Sequence, residues 1–367
     1  MNAIVVCGGT GGHLFPGIAL AEELRARSHD TMLVVSEKRI DRVAAAGAPG
    51  FRIESLPGVA WAGWRPDRVL RFALRLARAR STAGRRMDEF RPGVVVGMGG
   101  FSTLAPLWAA RRRGIPTLIH ESNAVAGRAN RLLSSWADRC AVGMLEAERW
   151  FPKERTVWTG TPVRAALRAL PSRAEARKRL GLPFDLPVVL VMGGSQGARV
   201  LNRLAVEAAA RLGPGHAAWI HLAGELDEIP MREAYAKAGV AARVEMFSHD
   251  MAAAYAAADL FLGRCGAASL AEIASAGLPS VLVPFPYAAD RHQSANAAVF
   301  KRAGAAVAVE EKDWTGERLA SALGDLLTNR GKLAAMAAAA RGLRQDEAHR
   351  RLADEVVALG TRGRDAP

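Results

Sequence analysis

Asn2-Ala3-Ile4-Val5-Val6-Cys7-Gly8-Gly9-Thr10-Gly11-Gly12-His13 decides how this chain is read: an apolar β-type run ends in a glycine-rich turn, and a helical pattern follows. Gly193-Gly194-Ser195-Gln196-Gly197-Ala198 repeats the arrangement after a second apolar run. Glycines at such a turn let backbone N–H groups approach a phosphate, and the following helix adds the positive end of its dipole. One strand, glycine turn and helix is a weak signal, because many α/β proteins use one only to pack helix on sheet. Two of them, so placed, point to two nucleotide-type halves and a pyrophosphate-bearing ligand.

Outward from these turns, β runs alternate with helical patterns. Strands are expected near 2–7, 31–36, 93–97, 116–120 and 139–142, with helices such as 16–27 and 66–90. The plan restarts after Gly160-Thr161-Pro162-Val163-Arg164, with strands near 187–192, 217–222, 243–246, 259–262, 280–283 and 306–309. Such alternation specifies parallel sheets with helices on both faces. A chain of 367 residues exceeds the size at which one core stops growing, so two domains are expected, 1–162 and 163–340. A C-terminal helix and tail, 341–367, is expected to return to the first domain. The fold class is α/β, two Rossmann-like doubly wound domains facing across a cleft, with ligand at the C-terminal strand ends.

Hydrophobic residues make up 50% of the chain and aromatics 6%, which fits a globular α/β protein rather than a disordered or fibrous one. Cys7, Cys140 and Cys265 are scattered and stand in no metal spacing, so a reducing compartment is expected and a disulfide framework is not. The first strand runs straight into its glycine turn with no leader pattern before it, and the expectation is a cytosolic chain. The uncharged stretch Pro92 to Ala110 contains Gly97, Gly99, Gly100 and Pro106, which argue for a strand, turn and helix instead of a membrane span.

Fifty Lys+Arg against 36 Asp+Glu leave a net charge of +14. Between Trp61 and Arg131 there are fourteen arginines and no lysine against four acids, so much of the excess lies in the first half. Arg65, Arg68, Arg71, Arg75 and Arg78 recur at helical spacing opposite Val69, Leu70, Phe72, Ala73, Leu74, Leu76 and Ala77. The plain reading is a helix whose apolar side covers a sheet and whose arginine face is solvated. A functional reading adds that this face, with Trp61, Trp64 and Trp108, meets anionic lipid. No nucleic-acid motif interleaves these arginines with base-stacking aromatics, so a membrane surface is favoured over nucleic acid.

The first turn departs from the dinucleotide fingerprint, since Leu14 stands where a third glycine or alanine belongs. His13 follows the glycines at the start of the helix, where an imidazole either serves as a base near neutral pH or caps and packs the helix end. His120-Glu121-Ser122-Asn123, Arg164, Ser195, Glu272 and Asp290-Arg291-His292-Gln293 also fall where strands should end. Glu272, early in a helix after Gly263-Arg264-Cys265-Gly266, suits the two hydroxyls of a ribose, and equally an ordinary charge complementing a helix dipole. Gln293 and Asn296 are candidate partners for sugar hydroxyls. No Asp-x-Asp pair occurs, so phosphate charge would be met by helix dipoles, backbone N–H groups and Arg164, with no metal and no cofactor.

Taken in order, several segments are similar to those of the MurG family of GT-B glycosyltransferases, family 28. They are Gly8 to Gly17, Gly97-Met98-Gly99-Gly100-Phe101, His120 to Asn123, Pro162-Val163-Arg164, Gly193 to Ala198, Phe247-Ser248-His249-Asp250-Met251, Gly266 to Glu272, and His292-Gln293-Ser294-Ala295-Asn296. The resemblance covers nearly the whole chain. It implies an inverting N-acetylglucosaminyltransferase that moves GlcNAc from UDP-GlcNAc to the 4-hydroxyl of the muramoyl group of lipid I, making lipid II for peptidoglycan. It also implies an acceptor- and membrane-binding N-terminal domain and a donor-binding C-terminal one. The partners are then UDP-GlcNAc, lipid I, the anionic cytoplasmic face of the cell membrane and other wall-synthesis proteins.

By the same resemblance, Arg164 and Ser195 lie near the donor diphosphate, Ser248 at the uracil through its backbone, and Ala267, Ala268, Ser269, Leu270 and Ala271 along the donor-binding helix start. Glu272 falls on the ribose and Gln293 on the GlcNAc. Thr10, Gly11, Gly12 and Asn123 fall near the GlcNAc and the acceptor. Inversion needs a base for the acceptor proton, for which His13 is the candidate, with Glu121 as its orienter or alternative. Ser122, Thr161 and Cys265 depart from the commoner Gln, Asn and Ser, and Pro106 stands differently from the usual acceptor-side motif. The neighbouring readings are another GT-B transferase, a UDP-GlcNAc 2-epimerase, or a nonenzymatic nucleotide-sugar-binding scaffold.

Overall fold

Strands rich in Val, Ile and Leu with no polar alternation bury both faces, and that is the signature of parallel sheet. The computed structural model, which describes residues 1–8, 11–37, 50–56, 65–193, 198–248 and 250–362, contains two such sheets. They belong to two compact units, Met1–Arg164 with Asp346–Pro367, and Ala165–Gln345.

The first unit holds seven strands: β1 (Asn2–Cys7), β2 (Asp30–Ser36), β3 (Arg52–Leu56), β4 (Val94–Gly97), β5 (Thr117–Glu121), β6 (Arg139–Val142) and β7 (Thr156–Trp158). Their order is β3-β2-β1-β4-β5-β6-β7, all pairs parallel. The second unit holds β8 (Val188–Met192), β9 (Ala218–Leu222), β10 (Ala242–Glu245), β11 (Leu260–Gly263), β12 (Ser280–Leu282) and β13 (Ala306–Ala308), ordered β10-β9-β8-β11-β12-β13. In both sheets the order reverses beside the first strand, between β1 and β4 and between β8 and β11. The crevice outside the C-terminal ends of these pairs is where open α/β sheets take ligands, and both glycine turns leave from there.

Side chains alternate between two cores. Ala3, Val5 and Cys7 of β1 pack with Leu14, Ile18 and Leu24 of the helix Gly11–Ala26 and with Leu352 and Val356 of the C-terminal helix Ala348–Arg362. Ile4 and Val6 face Ala83, Met87, Phe90 and Leu107 on the other side. The C-terminal helix is also held to this unit by Arg27–Asp354 at 2.5 Å and Arg139–Glu355 at 2.8 Å. In the second unit Val189 and Val191 pack against Leu201, Leu204, Leu319 and Leu323.

Three differences from the sequence reading stand out. Edge strands β3 and β7 lie outside the expected set: Arg52-Ile53-Glu54-Ser55-Leu56 is polar and partly exposed with only Leu56 buried, and β7 has only three residues. The first helix begins at Gly11, not near 16, so Gly11 and Gly12 form its first turn and Pro16 lies inside it. The helix Pro66–Phe90 covers the sheet only with its second half. Its 25 residues span about 37 Å, far beyond the roughly 13 Å of four-residue β4. Leu70 and Leu74 are therefore 62% and 57% exposed, and only Phe72 and Leu76 of that half rest on a small cluster formed by Ala79 and Ala105.

The three cysteines are buried and unbridged, and burial pushes the Cys140 thiol up to about 12. The second unit also contains a buried polar chain. Asn202 donates to the Ala223 carbonyl and to Asp227, its Oδ1 lies 3.0 Å from His221 Nε2, and His221 Nδ1 lies 3.1 Å from the Tyr235 hydroxyl. Desolvation lowers the His221 pKa from 6.5 to about 3. The unfolded chain therefore binds a proton that the native one refuses between these values, so this contribution to stability is complete above the upper value and falls as pH drops below it. Urea denaturation at about pH 7.5 and about pH 5.5 should show a loss of about 1 kcal/mol on acidification, reduced in His221→Gln.

Candidate active site

In the first unit the site grows from the ends of β1, β4 and β5. His13 lies in the first turn of the helix Gly11–Ala26, and its Nδ1 is 2.8 Å from the carbonyl of Gly8, the residue after β1. A carbonyl only accepts, so Nδ1 carries the proton and Nε2 carries the lone pair. The ring lies against the turn that follows β4, where Gly99 and Gly100 have φ of 113° and 81°. A Cβ on Gly99 would come within 2.9 Å of His13 Cδ2 and Nε2. That slot exists only because position 99 is glycine, both for its backbone angle and for the space. Arg164 reaches the same helix, its guanidinium 4.1 Å over the Phe15 ring.

β5 ends in Glu121, which is 3% exposed. Oε1 accepts from Asn123 N at 3.0 Å and Asn123 Nδ2 at 2.8 Å. Oε2 accepts from Gly127 N at 2.8 Å and Asn130 Nδ2 at 2.9 Å. Four N–H donors compensate the buried carboxylate and fasten the loop that carries Asn123. Both Glu121 oxygens are thus taken up on its own loop, where they hold the Asn123 side chain. His120 is wholly buried, with Nε2 3.0 Å from the Gly160 carbonyl and Nδ1 3.3 Å from Ser122 Oγ, and burial holds its pKa below the usual imidazole value.

In the second unit the candidates gather at the ends of β8, β10, β11 and β12. Gly193 closes β8 and the helix Arg199–Leu212 follows; Ser195, like Thr10 of the first turn and His249, lies outside the described residues. After β11 the chain passes Arg264 and Cys265 to Gly266, which caps the helix Ala267–Ala276. The opening N–H groups of a helix have no partner within it, so those of Ala267, Ala268 and Ser269 are donors for an anion. The Leu270 side chain is wholly buried, Ala271 is half-buried, and Glu272 lies one turn further on, 7% exposed. Tyr255 donates its hydroxyl to Glu272 Oε2 at 2.8 Å.

Two residues of the helix His292–Arg302 clamp the loop before that helix start. Gln293 Oε1 accepts from Cys265 N at 3.2 Å and Phe285 N at 3.0 Å, while Asn296 Nδ2 donates to the Cys265 carbonyl at 3.0 Å. Two backbone donors on one atom identify it as the amide oxygen, so Gln293 presents its NH2 group as the donating end. Arg264 donates to the carbonyls of Val283 and Pro284 and pairs with Glu311, which ties the end of β11 to that of β12. Ser248 is buried in the turn between β10 and the helix Met251–Ala257, which Asp250 caps by accepting from Ala253 N at 3.0 Å. Among the described residues no group of three or more His, Cys, Asp or Glu is placed to hold a metal ion.

The sequence reading did not single out Asn130 or Tyr255, because each matters through a partner brought close only by folding. Within each unit the remaining described candidates fall at the C-terminal strand ends.

Comparisons with known proteins show the family and the fold. Residues 3–142 match the glycosyltransferase family 28 N-terminal domain and residues 188–356 its C-terminal domain. Curated UDP-N-acetylglucosamine–N-acetylmuramyl-(pentapeptide) pyrophosphoryl-undecaprenol N-acetylglucosamine transferases are similar over almost the whole length. That of Halorhodospira halophila is 40% identical, covering 97% of this chain and 98% of its own. That of Geobacter sp. strain M21 is 39% identical, covering 95% and 93%. The crystal structure of Acinetobacter baumannii MurG superposes with a TM-score of 0.73 at 29% identity, covering 97% of this chain and 99% of its own. The fold is GT-B, and the chain belongs to glycosyltransferase family 28 and, within it, to the MurG family.

The Glu121 cluster yields a test of its role. Glu121→Gln puts an amide NH2 among four N–H donors and should cost roughly 2–3 kcal/mol of stability in urea denaturation, since a buried donor left without an acceptor carries its desolvation penalty. A variant of unchanged stability would contradict the fastening role.

Proposed function

We propose that the chain is an inverting hexosyltransferase that moves GlcNAc from UDP-GlcNAc to the 4-hydroxyl of the muramoyl group of undecaprenyl-pyrophosphoryl-MurNAc-pentapeptide, lipid I, forming lipid II for peptidoglycan synthesis. The observation that carries the chemistry is the His13 bond to the Gly8 carbonyl, which leaves Nε2 as the basic nitrogen. In a single displacement the acceptor oxygen bonds to the anomeric carbon from the face opposite UDP. The anomeric C–O bond to the diphosphate breaks with its electron pair going to UDP, and the hydroxyl proton passes to His13 Nε2.

Each unit has its share. On the donor side, the opening N–H groups of Ala267, Ala268 and Ser269, at the start of the helix that Leu270 and Ala271 continue, meet the diphosphate together with Ser195 and Arg164, and the helix-start dipoles stabilise the charge that develops on the leaving group. Glu272, with Oε2 held by Tyr255, accepts from the ribose, Ser248 meets the uracil through its backbone, and Gln293 donates its NH2 to the GlcNAc. Thr10, Gly11, Gly12 and Asn123 line the acceptor side, Asn123 being set by Glu121.

A transfer assay with labelled UDP-GlcNAc and a lipid I analogue tests this reading. UDP should appear only when the lipid-linked acceptor is present, and EDTA should leave turnover unchanged. Acceptor-independent UDP formation would favour an epimerase, and no turnover at all a nonenzymatic scaffold. His13→Ala should lower kcat by about 100-fold or more, and Gly99→Ala should do likewise with the fold retained, because its Cβ displaces the imidazole. Unimpaired His13→Ala would remove the proposed base.

The same reading makes the protein peripheral at the cytoplasmic face of the cell membrane, and other wall-synthesis proteins are its neighbours there. Among the described residues no helix is long and apolar enough to cross a membrane. Val69, Leu70, Leu74 and Trp108 are exposed beside Arg68, Arg71, Arg75 and Arg78, and Arg80 lies 4.7 Å over the Trp108 ring. Apolar side chains ringed by arginines suit an anionic lipid surface, at about 1 kcal/mol per basic residue. Changing Arg68, Arg71 and Arg75 together to Glu should reduce co-sedimentation with anionic vesicles at least about tenfold, and unchanged binding would refute the assignment.

A further inference from the structure

The second unit contains a hollow of about 720 Å³ at the end of its sheet opposite the candidate donor residues. It opens below the N-terminal ends of β8, β11 and β12, where Pro187, Asp259 and Pro279 stand, and its size is that of a small-molecule pocket. None of the residues assigned above to donor or acceptor lines it.

Its chemistry is two-sided. Leu170, Phe184, Leu278 and Leu333 give it apolar walls, and four arginines, 173, 177, 330 and 341, meet only two aspartates, 185 and 259. Arg173 and Arg177 are both spent on Asp259, at 2.7 Å and 2.6 Å, and Arg177 also donates to the carbonyls of Ala257, Phe184 and Leu186. Arg330 and Arg341 take part in no ion pair among the described residues. The stem of Arg341 lies over Gly277, where a Cβ would come 2.7 Å from Arg341 Cγ, so the glycine leaves the room it occupies. Two cations beside these apolar side chains suit one anionic head group and one hydrocarbon body.

The hollow also touches the donor machinery from behind. Ala276 and Gly277, which line it, end the helix whose first turn carries Ala267 to Ser269. Tyr255 forms part of the wall, is 1% exposed, and gives its hydroxyl to Glu272. An occupant held against Tyr255 bears on the residue that sets the Glu272 carboxylate.

We propose that this hollow is a second ligand site, for a small anionic amphiphile such as an alkyl phosphate or carboxylate, and that its occupancy changes donor affinity through Tyr255 and Glu272. The site itself is independent of the transferase reading; the coupling rests on it.

Calorimetric titration of the full chain tests both parts. Octyl phosphate, below its micelle concentration, should bind at least about tenfold more tightly than inorganic phosphate, which lacks the body, or octyl glucoside, which lacks the charge. Arg330→Glu with Arg341→Glu should weaken octyl phosphate about tenfold or more, as should Leu333→Arg, which fills the chamber, while Leu70→Glu with Leu74→Glu should not. Equal affinity for octyl glucoside, or octyl phosphate binding unchanged in the arginine pair variant, would overturn the site. With the hollow saturated, UDP affinity should change by about twofold or more in the parent chain and stay constant in Tyr255→Phe. UDP binding indifferent to octyl phosphate in the parent would overturn the coupling and leave the binding result standing, whereas failure of UDP to bind at all would count against the donor reading.

Discussion

Parallel strands covered on both faces must be joined by crossovers, and the chain has to choose which face each crossover covers. Where that choice changes, two neighbouring strands send their following loops to opposite sides and a crevice opens at their C-terminal ends. The candidate site residues of each unit are placed by this constraint. β1 and β4 deliver the Gly8 carbonyl and the Gly99–Gly100 turn to the two sides of His13. β8 and β11 deliver Gly193 and the start of the helix Ala267–Ala276 to a common edge.

A loop at such an edge performs no chemistry unless its backbone is held, and the two units use the same device. A side chain at the loop's edge or on a neighbouring element takes up the loop's own polar groups. Glu121 gathers N–H groups from Asn123, Gly127 and Asn130, and Gln293 with Asn296 takes both the N–H and the carbonyl of Cys265. Such bonds also fix the orientation of single groups: the bond to the Gly8 carbonyl puts the proton of a neutral His13 ring on Nδ1, and the twice-bonded oxygen of Gln293 leaves its NH2 as the donating end. Preorganisation of this kind spares the reorganisation that a flexible site would require during reaction.

The arginine-rich helix illustrates how far a periodic pattern can be read. Helical spacing correctly places the helix at 66–90, and its amphipathic form is plain in the order of residues. What the helix covers is a matter of length against length. Four residues of β4 cannot shelter a helix of 25, so Leu70 and Leu74 stay outside while Met87 and Phe90 go in. The two edge strands of the first unit are hidden for a related reason: β3 and β7 have few neighbours to bury them, and a partly exposed strand lacks the apolar run that reveals a central one, whereas the edges of the second unit, β10 and β13, fall at the expected 243–246 and 306–309.

The order of residues by itself determined the two parallel-sheet units, nearly all their central strands and the loops that carry the candidate chemistry, because burial on both faces writes itself directly into continuous apolar runs. It also determined the family, through motifs spread from Gly8 to Asn296. Only the tertiary structure decided the states and partners of the groups in those loops. Glu121 became a fastener of its own loop because Asn130 and Gly127 come within reach of it, and Tyr255 became the partner of Glu272 because two helices bring together residues seventeen positions apart. Hydrogen bonds are made over about 3 Å, and such distances between residues remote in sequence are set by packing.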